Sequence, residues 1–440
     1  LDAILKREKG LHQGLTSGQL SMIAIGSAIG TGLFLGSGMA IGFAGPSVLI
    51  SYAIGGLIAL LLMGCLAEMA VAHPTSGSFG AYAEFYIHPA AGFLVRYAYW
   101  VSIVFAVGTE VTAIAVYMKF WFPDTPGWLW IAAFSGILIA VNSFNVKIFG
   151  TVEYGFSTLK ISAILVFIVL GAFLVSRVGF ANYGVMDGFF PKGISGAWVG
   201  VIVAVFSYLG IEMVAVAAGE ARDPQRAITR AFYATFFRLV FFYLATLGLM
   251  LAIVPWTQAG TGGSPFVKVM AATHVPFAAG VMNFVILVAA LSAMNSQFYI
   301  TTRMMFSLAR AGHAHPRFGK LSSRGVPLAA LFISTTGIAV GTLLVVLYPD
   351  TAFTLMMSIS MFGAMFTWLM IFVTHLFFRR RHYAPAFRMW GFPYSTLLGA
   401  GLMSGVLVTT LFVPSFRMTL FFGLPFLAVL YGVYRFRYHR

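Results

Sequence analysis

Charge is what this sequence has least of: only 9% of its 440 residues are Asp, Glu, Lys or Arg. A soluble domain carries about 25%, so the soluble globular class is excluded. Cysteine is nearly absent as well. The single Cys65 allows no intrachain disulfide and no cysteine-built metal cluster. Catalytic signatures are missing too: there is no Walker A, H-E-x-x-H or G-x-S-x-G, and no polar loop long enough to house an active site. The roughly 10-residue segments of alternating polarity that mark a membrane β-barrel are also lacking.

What is present is apolar. Hydrophobic residues make up 60% of the chain and the mean hydropathy is +0.91. Stretches of roughly 20 apolar residues, enough to cross a bilayer, recur along the whole length. Twelve such segments fall at about 18–42, 46–72, 92–121, 127–145, 154–176, 197–219, 231–254, 279–309, 326–347, 353–377, 393–414 and 418–434. The reading is all-α: a polytopic membrane protein with twelve transmembrane helices. Residues 1–17 form a polar, basic N-terminal segment, and the span after it is too long and glycine-rich for a cleavable signal peptide. A start at Leu1 rather than Met implies that further residues precede it.

The net charge of +15 does not signal nucleic acid, because Lys and Arg sit in short loops between apolar runs. With the N-terminus inside, 21 basic residues face the cytoplasm and five (Lys119, Arg177, Lys192, Lys268, Arg417) face out, so both termini are expected in the cytoplasm. Lys160 belongs to neither group, since it falls within the fifth segment. His313 and His315 read as solvated loop residues, and Glu220 beside Arg222 as a surface ion pair.

Glycine interrupts the first segment at Gly26-Ser-Ala-Ile-Gly-Thr-Gly32 and the sixth at Phe206-Ser-Tyr-Leu-Gly-Ile-Glu212. Paired interruptions in corresponding halves point to inverted repeats with a binding site at the bilayer midplane. An offset of five spans inverts the topology. The repeats would be 18–176 (spans 1–5) and 197–377 (spans 6–10), with 378–440 holding spans 11–12 and the C-terminus. Unwinding exposes N–H groups that favour an anion and carbonyls that favour a cation, a combination suited to an α-amino acid. The competing reading of Gly26 and Gly30 is a GxxxG packing notch. Glu212 and Glu110 are acids inside apolar runs, a costly placement that marks functional candidates; a structural interhelical hydrogen bond is the alternative for Glu212, and Glu110 could read a cationic substrate, relay protons or bond a neighbouring helix.

The stretches GLTSGQLSMIAIGSAIGTGLFLGSG, NVKIFGTVEYGFSTLKI, FSYLGIEMVAVAAGEARDPQRAI, LSAMNSQFYITTRMMFSLARAGHAHPRF and SSRGVPLAA follow one another along nearly the whole chain. In them the sequence resembles amino acid permeases of the amino acid–polyamine–organocation superfamily, bacterial amino acid transporter branch. The resemblance implies the five-plus-five inverted-repeat fold with broken helices 1 and 6, and alternating access. It implies that the substrate carboxylate is received at Gly30, Thr31 and Gly32, and the amine by carbonyls of Ala28, Phe206 and Leu209. Phe206 would act as a gate, with Ser207, Glu110 and Glu212 around the side-chain pocket. Lys160 would take the place of a sodium ion and, with Glu212, couple transport to protons; a snorkelling lysine is the alternative. Asn295 and Ser296 would support Lys160 or the substrate, or bond between helices. Where the family reads Gly-Glu this chain has Gly150-Thr151, which removes any role an acid would have there.

The expected function is proton symport of a neutral L-α-amino acid into the cell across the bacterial cytoplasmic membrane. Transport of cationic amino acids or exchange is the alternative, and a channel the runner-up class. Protons are the expected coupling ion, with no sodium, no metal, no other cofactor and no nucleic acid. The expected partners are the amino acid and the lipid bilayer, the chain being a monomer or weak homo-oligomer. No enzyme activity is expected.

Overall fold

The computed structural model describes residues 15–144, 146–217, 224–260, 263–273, 275–381 and 385–438. Among these there are helices and no β-strands. A lipid-embedded backbone must satisfy its own N–H and C=O groups, and helices do so within one segment. The Glu220–Arg222 pair lies outside the described residues, as does nearly all of the N-terminal segment.

Nine described helices are long and apolar enough to cross a membrane. One of them, Gly32–Ala72, takes in parts of two predicted segments, and shorter apolar helices at Phe241–Ile253 and Tyr394–Thr409 match the seventh and eleventh. Helix therefore falls on all twelve apolar segments, though not every one qualifies as a span on its own.

Packing divides the helices by depth. The third (Pro89–Met118) is central, lying against the eighth (Ala278–Arg310), the ninth (Leu328–Ser334 and Thr336–Leu347) and the tenth (Ala352–Arg379). The first and second segments pack instead on the sixth and seventh. The fourth, fifth, ninth and twelfth show the least buried windows, at 22%, 28%, 28% and 17%. Their outward faces carry residues such as Ile137, Val169, Leu343 and Phe421, the surface a bilayer would cover.

The helices depart from the sequence reading in several places. The fifth helix runs Val146–Val178, starting well before 154. The ninth is divided at Thr335, within a Ser-Thr-Thr-Gly cluster. Helices outside the twelve segments, Ser78–Tyr86, Trp256–Ala259 and Pro265–Ala272 among them, occupy connections. Arg96, one of the 21 basic residues counted on the cytoplasmic side, is buried in the third helix and pairs with Glu84 at 2.7 Å. His313 is half-buried against the Phe93 and Tyr438 rings rather than solvated.

Candidate functional site

The first segment is broken where the glycines cluster. A capping box of Thr16 and Gln19 starts the helix Ser17–Gly26. Ser27 to Gly30 leave the helix, and a π-helical turn, Gly32–Gly36, leads into Ser37–Ala44. A half-helix that begins at Thr31 has no carbonyls one turn behind it for its first N–H groups, so these face the break. The sixth segment breaks likewise: Gly193–Tyr208 ends with Leu209 at ψ 141°, and helix resumes at Met213–Ala217.

The two breaks touch. Gly210, at φ +105°, lies so close to the first break that a Cβ there would stand 2.6 Å from the Ser27 carbonyl oxygen. The Ser27 hydroxyl donates to the Gly210 carbonyl at 3.0 Å. A Cβ on Gly32 would come 2.6 Å from Ser207 Cα, so that glycine lets the two backbones meet. Tyr243, from the seventh segment, donates to the carbonyls of both Ala28 and Ser207 at 2.7 Å. Gly26 and Gly30 pack as well, the first on Ser157 and the second on Ala293. The notch and the break are thus one feature.

A cavity lies beside this contact, walled by Gly30, Gly32, Phe206, Leu209, Ile103 and Glu110 among others. Of its roughly 410 Å³ outside atoms, about 30 Å³ admits the centre of a water molecule. That is room for one or two waters, so an amino acid can load only if the walls part. Ala28, Ala106, Ser207, Met213, Ala293 and Gln297 also line the cavity.

Not every predicted residue is on this wall. Glu212 is absent from it: its carboxylate accepts from Tyr99 Oη at 2.6 Å, Gly210 N at 3.1 Å and Trp368 Nε1 at 3.2 Å. The acid supplies the acceptor that unwinding removed from Gly210, which corrects its placement in the side-chain pocket. The Phe206 carbonyl accepts from Leu209 N at 3.1 Å, and the Ala28 carbonyl is already engaged by Tyr243. Ser296 is buried with a hydroxyl that finds no partner among the described residues, and it does not line the cavity. Thr151 is exposed and bonds to the Lys147 carbonyl.

Lys160 is fully buried, which removes the snorkelling alternative. Its ammonium donates to the carbonyl of Gly26, to that of Ile29 at 3.0 Å and to the Ser292 hydroxyl at 2.7 Å. A cation thus sits at the C-terminal end of the first half-helix, where the dipole favours it. The Ser292 hydroxyl in turn donates a hydrogen bond to Glu153 Oε1, while Asn295 donates to Glu153 Oε2 at 3.1 Å and accepts from Asn142 at 2.8 Å. Asn295 therefore supports the buried acid rather than the lysine. The sequence reading did not assign Ser292 or Glu153 a role. Glu153, Ser157 and Lys160, spaced four and three apart on one helix face, were the signal for it.

Comparison with known proteins fits this geometry. The family model for amino acid permeases matches residues 19–440. The chain is 38% identical over 422 residues to a γ-aminobutyric acid permease of Bacillus subtilis, covering 93% of this chain and 90% of that protein. It is 35% identical to the aromatic amino acid transport protein AroP of Salmonella typhimurium, covering 96% and 94%. A manganese transporter of Eremococcus coleocola shares the fold, with a TM-score of 0.62 at 13% identity, over 95% and 92% of the two chains.

Proposed function

This chain belongs to the amino acid permease family, and from that premise we propose that it is a secondary transporter driving a neutral L-α-amino acid inward by proton symport. The family is one of multi-pass membrane transporters, not enzymes. The observation that carries the finer reading is the meeting of two broken helices at one cavity. N–H groups at Thr31 and Gly32 would receive the carboxylate. The Leu209 carbonyl, with Ala28 and Phe206 beside it, would receive the amine. The lining offers the substrate side chain mainly apolar atoms from Ile103, Ala106, Met213 and Phe206, which favours a neutral one.

Coupling would run through Lys160. Its ammonium ties the first half-helix to the fifth and eighth segments, and loss of its proton would remove those ties together. Exchange of one amino acid for another remains the second reading, because the same cavity could return loaded. The cytoplasmic membrane, with both termini inside, is the proposed location. Purified protein in liposomes should accumulate a common amino acid when the outside is acid relative to the lumen. Uptake that ignores the gradient but needs internal amino acid would establish exchange in place of symport.

A further inference from the structure

The anion end of the first break already holds a carboxylate. The Thr31 hydroxyl donates to Glu110 Oε1 at 3.1 Å, and Gln297 Nε2 reaches the same oxygen at 3.4 Å. Glu110 is 3% exposed and stands on the cavity wall, while its Oε2 is buried without a hydrogen-bond partner among the described residues. Gly30 borders the acid, a Cβ there meeting Oε1 at an ordinary 3.4 Å.

A half-helix start stabilises one anion well. Two carboxylates at the same donors repel, and burial makes that repulsion strong. We propose that Glu110 is a resident ligand: the chain's own carboxylate fills the carboxylate subsite when no substrate is bound, and an amino acid must displace it to load. The inference rests on reading the paired breaks as the amino acid site. It gives Glu110 a role distinct from recognising a cationic side chain, and it accounts for the narrow cavity, part of which this acid fills. A second consequence concerns ligands. An amine without a carboxylate has no need to displace Glu110, and its charge is complementary to the acid left in place.

The test compares wild type with Glu110→Gln and Glu110→Asp in the purified full chain. Probes are L-alanine, L-leucine and L-phenylalanine, each paired with its carboxylate-free amine: ethylamine, 3-methylbutylamine and 2-phenylethylamine. Glu110→Gln should bind the amino acids on the order of tenfold tighter, a modest share of what like-charge juxtaposition costs, and the amines more weakly. Glu110→Asp keeps the charge but is one methylene short of Thr31. It should also bind amino acids more tightly, by a smaller factor, whereas a merely structural acid would be rescued to wild-type affinity. Unchanged or weaker amino acid binding in both variants, with wild type binding normally, overturns the inference alone. Failure of wild type and variants to bind any of the amino acids overturns the site reading and the inference with it.

Discussion

Lys160 stands where three segments would otherwise leave polar groups without partners. Its ammonium engages two carbonyls of the unwound stretch and, through Ser292, meets the charge of Glu153. Removing one member of a buried charge network leaves the other unpaired, at about 3–5 kcal/mol. Lys160→Ala is therefore expected to lower the thermal unfolding midpoint in detergent and to impair gradient-driven uptake more than it impairs amino acid binding; unchanged pH dependence of uptake would contradict the coupling role. Tyr243→Phe deletes a hydroxyl that donates to both breaks. It should cost about 1–3 kcal/mol and weaken substrate binding, measured by calorimetry. Among these residues Lys160 was legible from its charge in an apolar run. Tyr243 and Ser292 were not, because a tyrosine or serine in a membrane helix has many bland uses and only the tertiary contact reveals the partner.

The two breaks illustrate which elements can be read from pattern. Glycine clusters five spans apart marked both interruptions correctly, because a helix weakened in lipid needs a compensating purpose. The start of the fifth helix was missed, since Lys147, Gly150, Thr151 and Glu153 dilute its hydropathy while Val146, Phe149, Glu153 and Ser157 form a buried stripe. Hydropathy averages around the helix and cannot see a face. The placement of Glu212 was likewise out of reach: its carboxylate serves the backbone of its own break, a local competition between side chain and helix. The contact between breaks makes a sharp prediction for Gly210. Gly210→Ala would force a Cβ to 2.6 Å from the Ser27 oxygen at a φ of +105°. The expected result is loss of substrate binding together with a stability loss of about 1–3 kcal/mol; normal affinity would show that the breaks need not touch. Gly32→Ala acts on the same contact from the other side, through the Ser207 backbone.

For the whole molecule, the packing separates the first, second, sixth and seventh segments from the third, eighth, ninth and tenth, with the cavity between the two groups. Far from the cavity, Glu68 ties parts of both groups together. It is fully buried and accepts from His375 Nε2 at 3.0 Å, Arg379 Nη2 at 2.8 Å and Met389 N at 2.8 Å. The node joins the second and tenth segments and the stretch before the eleventh. Glu68→Ala should lower the unfolding midpoint by an amount matching about 3–5 kcal/mol, the cost of leaving buried donors and a cation unmatched. An unshifted midpoint would show that the node is dispensable. The central claim is that the meeting of two broken helices makes a substrate site worked by a proton gradient. Its most direct test is uptake by the purified chain in liposomes, with wild type and Lys160→Ala compared side by side. The account predicts that wild type concentrates an amino acid against its gradient only when the outside is the more acid, and that the variant binds but does not concentrate it. Equal accumulation by both proteins, or accumulation indifferent to the pH difference, would contradict it.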